Sequence, residues 1–237
     1  MATFALLNAF AHVHGHDFSC ESNELTLSMD VAALDATTFC SNGWAVNAPG
    51  LKTSSLSMAG FWAPAPDEQT YDDLGGEKRA VTVGVDAANG GVAYLLRSGL
   101  FNYQQGGAHG ELAPFSLTAQ GSDGWGVLRG RVLAAKQTVD STGVIGAPFQ
   151  LGAASASQHL YATFHVFGAG TTITVVLESD SDNTFGSATT RATIGPLTAT
   201  GGVWVPRVSG AITDTWYRLR VTAITGEFTV AGAAAIA

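Results

Sequence analysis

Residues 159–168 read HLYATFHVFG, in which Leu160, Ala162, Phe164 and Val166 alternate with Tyr161, Thr163, His165 and Phe167. Successive side chains of a β-strand point to opposite faces, so a period of two sustained over this length predicts a strand. The pattern recurs in both directions along the chain. NELTLSMDV, LKTSSLSMAGFW, KRAVTVGVDA, GVAYLLRSGLFNY, ELAPFSLTAQG and WGVLRGRVLAA precede it, and TTITVVLESDS, TTRATIGPLT, WYRLRVTAITG and EFTVAGAAAIA follow. Most are bounded by Gly, Asn, Asp or Pro, and many carry the β-branched and aromatic residues that suit a half-buried sheet. The expected fold is mainly β.

Two segments break the alternation. APDEQTYDDLGGEK has Pro66 and Asp67 where a helix would start and Gly75-Gly76 where it would stop, which predicts one short helix over Asp67 to Leu74. KQTVDSTGVIGAP concentrates Ser, Thr, Gly and Pro without apolar alternation, and so predicts a connection. A domain boundary placed there gives residues 1–140 and 141–237, the second being about the length of a small β-sandwich.

Charged residues make up only 13% of the 237, about half the usual share. A surface this poor in charge is expected to be covered in an assembly, because free monomers keep mixed surface charge for solubility. The net charge of −8 is uneven. Up to Thr118, twelve acids face Lys52, Lys78, Arg79 and Arg97, whereas beyond it seven acids face seven bases. An acidic half does not grip nucleic acid, which needs Lys/Arg clusters; it repels the phosphates weakly, as suits a conduit. No basic segment precedes ATFALLNAF and no apolar run approaches ~20 residues, so neither a signal peptide nor a membrane span is expected. Cys20 and Cys40 fit reduced thiols of a cytoplasmic origin, with a single bridge left open.

AHVHGHDFSC places His12, His14 and His16 at alternate positions, followed by Asp17 and Cys20. On one strand face the imidazoles would stand about 7 Å apart, too far for one ion unless Gly15 bends the chain. Zinc sequences of real specificity pair ligands on a helix or in two close couples, and neither pattern occurs. The expectation is a polar strand face able to titrate near pH 6, with no metal and no cofactor. ESDSDNTFG puts Asp180, Asp182 and Thr184 at the alternate positions of a calcium loop, but Phe185 occupies the glycine position and Arg191 that of the closing Glu; a hairpin loop is expected. No nucleophile elbow or phosphate loop is present, and Cys40, His109 and the acids form no sequence triad, so no enzyme is expected. Trp204, Trp216 and Tyr217 leave sugar stacking open beside core packing.

The order of motifs in the first half resembles the major tail tube proteins of long-tailed phages. Gly15, Asp17, Phe18 and Ser19 match that family's strand-ending turn; Thr37, Thr38 and Phe39 follow; Pro49 to Lys52 then lead into a strand ending at Gly60 and Phe61. GVAYLLRSGLFNYQQGGAHGELAPFSLTAQG is similar to the family's middle strands, and the C-terminal half is similar to β-rich extensions of phage tail subunits. Cys40 stands where the family has Gly, so the turn there is expected to differ. The resemblance implies a tail-tube-type β-sandwich or barrel with one helix, joined to a C-terminal β-sandwich that decorates the exterior. It implies self-assembly into stacked rings, usually hexameric, around a DNA channel in a virion put together in the host cytoplasm. Partners would be the protein itself, other tail proteins and DNA passing without specific binding. A terminator or baseplate ring, or a sugar-binding β-sandwich, is the alternative. Asp17 and Ser19 should form an Asx-type turn, and Gly60, Phe61 and Trp62 should close their strand mainly as core.

Overall fold

The computed structural model describes residues 7–237; the start of ATFALLNAF, where no signal peptide was expected, therefore lies outside the described residues. The chain is mainly β. In order it forms β1 (Phe10–Val13), β2 (His16–Asp17), β3 (Ser22–Asp35), β4 (Asn47–Phe61), α1 (Pro64–Asp72), β5 (Arg79–Gly84), β6 (Val92–Gln105) and β7 (Pro114–Gly121). It continues with β8 (Leu128–Val139), β9 (Gly143–Gln150), β10 (His159–Gly168), β11 (Thr172–Asp180), β12 (Thr189–Leu197), β13 (Gly201–Ser209), β14 (Trp216–Thr225) and β15 (Phe228–Ile236). No helix of the described residues is long and apolar enough to cross a membrane.

Strands β13-β10-β15-β8-β6-β5-β1-β2 form one sheet in that order, and β7, β4 and β3 branch from the far half of β6. A second sheet runs β12-β11-β14-β9. The opening stretch lies on β10, where Leu160, Ala162, Phe164 and Val166 point into the apolar layer between the two sheets. Leu133, Val205 and Val230 join them from the large sheet; Ile173, Leu177, Leu219 and Val221 face them from the small one. This sandwich takes its wall partly from β8, whose residues precede position 140. Phe164 is fully buried there, so Phe164→Ala should cost about 3–5 kcal/mol of stability in urea unfolding, through lost transfer energy and the cavity left behind. A second apolar cluster gathers Ala11, Phe18, Leu56, Met58, Val81, Val83, Leu96, Phe115 and Leu117 in the first half.

The large sheet also folds over on itself. Thr82 on β5 reaches across to β10, its Oγ1 lying 2.7 Å from Thr163 Oγ1 and 2.9 Å from His165 Nε2. A third cluster, including Phe10, Leu95, Val132, Tyr161 and Ala233, fills the space so enclosed.

Three local expectations change. The helix begins at Pro64 and ends at Asp72, because Ala63 C=O already accepts the N–H of Asp67 and the chain turns off at Gly75, where φ is +70°. The stretch around 138–146 is strand on both sides of a bend at 140–142: β8 runs to Val139 in one sheet and β9 starts at Gly143 in the other. Gly146 permits that crossing, since a Cβ there would stand 2.0 Å from Leu133 O. The three histidines do not share one strand face. The chain reverses at His14 and Gly15, with φ of +46° and +82°, so His12 pairs with Asp17 across a short hairpin.

Candidate assembly surface

Strands β3 and β4 pair along nearly their whole length, from Ser22 opposite Gly60 to Asp35 opposite Asn47. Only Ser55–Phe61 of β4 also pair with β7, and β3 has no second neighbour among the described strands. The distal half of the hairpin is therefore a two-stranded arm with no layer of the described residues packed on either face. Alternation normally buries one face of a strand; here Met29, Val31, Leu34, Val46 and Leu51 all stay exposed.

The tip, residues 36–46, is held by its own side chains. Asp35 Oδ1 accepts Thr37 N (2.8 Å), Thr37 Oγ1 accepts Val46 N (2.9 Å), and Ser41 Oγ accepts Thr38 N (3.0 Å). Hydrogen bonds from Thr37 lower the pKa of Asp35. Asn42 and Gly43 take left-handed φ values of +50° and +80°, which close the turn. The tip thus presents Phe39 and Trp44 to solvent, at 111% and 79% exposure, on an ordered frame. Cys40 lies exposed between them and is not bonded to Cys20, which is also exposed.

A groove of about 930 Å³ runs between the arm and residues 120–127, lined by Met29, Val31 and Leu51 on one side and Trp125 on the other. Asp123 stands in its floor, bonded to Lys78 at 2.8 Å and Arg97 at 3.3 Å. Burial would raise the Asp123 pKa, but these two cations outweigh it and lower it. At the arm's base Phe61 and Trp62 are exposed, at 46% and 39%, where core packing was expected. The backbone just before β3 approaches closely at Gly60, where a Cβ would stand 1.9 Å from Glu21 O. Phe101 and Leu112 are also exposed.

The histidines of the opening hairpin gather elsewhere. His12 is buried between Phe10 and Phe167, with ring centroids at 4.9 and 4.8 Å, and its ring lies 5.6 Å from that of His165. Burial pushes its pKa down to about 4. Titration near pH 6 is therefore not what His12 does. His14 and His16 are half-buried, and burial lowers both. Asp17 accepts from Ser19 N (3.0 Å) and Ser19 Oγ, the expected Asx-type turn, and bonds Lys136 Nζ at 2.7 Å. Burial alone would raise the Asp17 pKa; Lys136 and Ser19 outweigh it and lower it. Among the described residues no group of three His, Cys, Asp or Glu side chains is placed to hold a metal ion.

Asp180 and Asp182 spend their oxygens on their own loop between β11 and β12. Asp180 accepts from Ser181 N (2.6 Å) and Ser187 N (2.8 Å), and Asp182 from Thr184 N (2.7 Å). Phe185 is buried beneath the Arg218 guanidinium, 4.1 Å from its ring centroid, and Arg191 is paired with Asp214 at 2.7 Å. Of the three aromatics weighed for sugar stacking, Tyr217 is fully buried, Trp204 packs at the edge of the third cluster, and Trp216 is half-buried. The β14–β9 register shifts between Tyr217 and Leu219, which accounts for the irregular alternation there. His109 lies exposed between β6 and β7.

Sequence reasoning placed β3 and β4 but missed the bareness of their distal half; the signal present was Ser41-Asn42-Gly43 between two alternating runs. It also missed His165 and Thr82, which have no local signature because their partners are remote in sequence.

No family model matches the chain, and no curated protein matches it. Among solved structures, a chain of the virion of a native gene transfer agent particle matches at 17% identity and a TM-score of 0.42, over 49% of this chain and 92% of that one. The Dit protein (gp 19.1) of phage SPP1 matches at 11% identity and a TM-score of 0.38, over 95% of this chain and 98% of its own. A chain of the phage p2 baseplate in its activated conformation matches at 6% identity and a TM-score of 0.33, over 94% of this chain and 97% of that one. At these TM-scores the likenesses carry no functional weight.

Proposed function

We propose that this chain is a structural subunit of a phage tail, the major tail tube protein, which assembles with itself into stacked rings around a DNA channel. The β3–β4 arm carries the reading. An ordered tip bearing Phe39 and Trp44, bare apolar faces and an unpaired β3 edge are groups that a free monomer leaves at risk of aggregation and an assembly covers. The motif order that resembles tail tube proteins supplies the identity of that assembly, with hexameric rings and other tail proteins as neighbours. Residues 1–140 would build the tube and the acidic excess of that half would let DNA pass without binding. Residues 141–237 would face outward. The work is structural and no turnover is expected.

Negative-stain microscopy and sedimentation of the purified chain test this. Uniform tubes or stacked rings are expected. Single closed rings that never stack would favour a terminator or baseplate component instead, and a monomer at every concentration and salt would overturn the proposal.

A further inference from the structure

Two histidines far apart in sequence accept backbone N–H groups across one contact: His165 of β10 from Gly15, the residue after His14, and His14 from Gly202, the β13 residue paired with His165. Gly15 N donates to His165 Nδ1 at 3.4 Å, and Gly202 N donates to His14 Nδ1 at 3.0 Å. The exchange joins the turn between β1 and β2 to the paired strands β10 and β13. It is made at very short range: a Cβ on Gly15 would stand 2.5 Å from Gly201 N, and one on Gly202 would stand 2.8 Å from His14 Cα. With Nδ1 accepting, His165 carries its proton on Nε2 and donates it to Thr82 Oγ1 at 2.9 Å, so the neutral ring is satisfied at both nitrogens.

Protonation reverses the role of each Nδ1. An imidazolium is a donor at both nitrogens, so each of the two bonds would set N–H against N–H. The charged groups around the pair do not compensate. His165 faces His12 from β1, His14 from the turn and Asp17 from β2; His14 faces His16, Arg79 from β5 and Asp73 from the segment after α1. Asp17 is already paired with Lys136 of β8 at 2.7 Å, and Asp73 with Arg79 at 2.9 Å. New positive charge on the rings therefore meets neutralised carboxylates and two existing cations.

We propose that His14 and His165 form a proton-released clasp: neutral, they hold the β1–β2 turn against β10 and β13, and proton uptake in mild acid detaches the turn while the sandwich core stays folded. Burial lowers the pKa of both rings; for His14 Arg79 lowers it further, while Asp73 and the backbone contact at Gly202 act the other way and are outweighed.

Hydrogen exchange of the full chain, followed by mass spectrometry from pH 7.5 to pH 4.5 and corrected for the intrinsic rate, tests the clasp. Protection of residues 14–17 and 201–205 should fall by up to about tenfold per pH unit for each proton taken up, while β11 and β14 keep theirs. H14N and H165N each place a neutral carbonyl acceptor in the ring's position without a titrating group. In H14N, protection at Gly202 should persist into acid; in H165N, protection at Gly15 should do so. Should H165N fail to fold, H14N decides alone, since its ring is only half-buried. Protection that falls evenly across all strands, or a Gly202 response in H14N equal to that of the parent protein, would overturn the proposal.

Discussion

Between pH 6.5 and pH 4 the protein should lose about 3 kcal/mol of global stability through His12 alone. His12 has its pKa depressed by burial from the ordinary 6.5 to about 4. As the pH falls through this window the unfolded chain takes up the proton first, so folding becomes less favourable; above 6.5 the contribution is constant, and below about 4 it no longer changes. Urea midpoints measured across this range should show the limb. His12→Phe keeps a ring between Phe10 and Phe167 and should flatten it by about the same 3 kcal/mol, leaving the share due to His165, whose burial acts in the same direction. A variant limb as steep as the parent's would show that His12 is not the group taking up the proton. Glu178, where burial would raise the pKa but the bonds to Arg220 and Arg218 outweigh it, adds its own loss from about pH 4.5 downward, overlapping the foot of this window.

The second large effect is on association. Phe39→Ser combined with Trp44→Ser should leave monomer stability within about 0.5 kcal/mol, because both side chains are exposed and the tip's hydrogen bonds come from Asp35, Thr37 and Ser41. If the arm is a subunit contact, each truncation removes an aromatic anchor worth about 2 kcal/mol. Together they would raise the concentration needed for assembly roughly a thousandfold. Sedimentation velocity measures that threshold, and thermal melts confirm that the monomer is intact. An unchanged threshold would remove the arm from the interface.

What the sequence revealed follows from which forces are local. Alternation located β10, β11 and β14 because each has one face against the sandwich core and one away from it. It failed at β9, where GVIGAPFQ has no regular period and the strand forms by pairing with β14, Gly146 letting it pass close to β8. The hairpin of His12, His14 and His16 is too short to show any period, so a reversal at His14-Gly15 looked like a continuing strand. The candidate surface was harder still. The pattern of β3 and β4 is that of strands with a buried face, and nothing in it tells that no layer covers them. The same pattern points Phe61 and Trp62 inward, yet both are exposed. The clasp was invisible because its bonds span 150 and 188 residues of chain.

The placement of β15 has a consequence for how the chain is made. Late in chain order, it lies between β8 and β10, pairing with both. During synthesis β8 is complete at Val139, yet its partner ends only at Ile236. At elongation rates of about 5–20 residues per second that interval lasts roughly 5–20 seconds. For that time β8 and then β10 wait with bare edges, and the nascent chain is at its most adhesive just before the last strand slides between them.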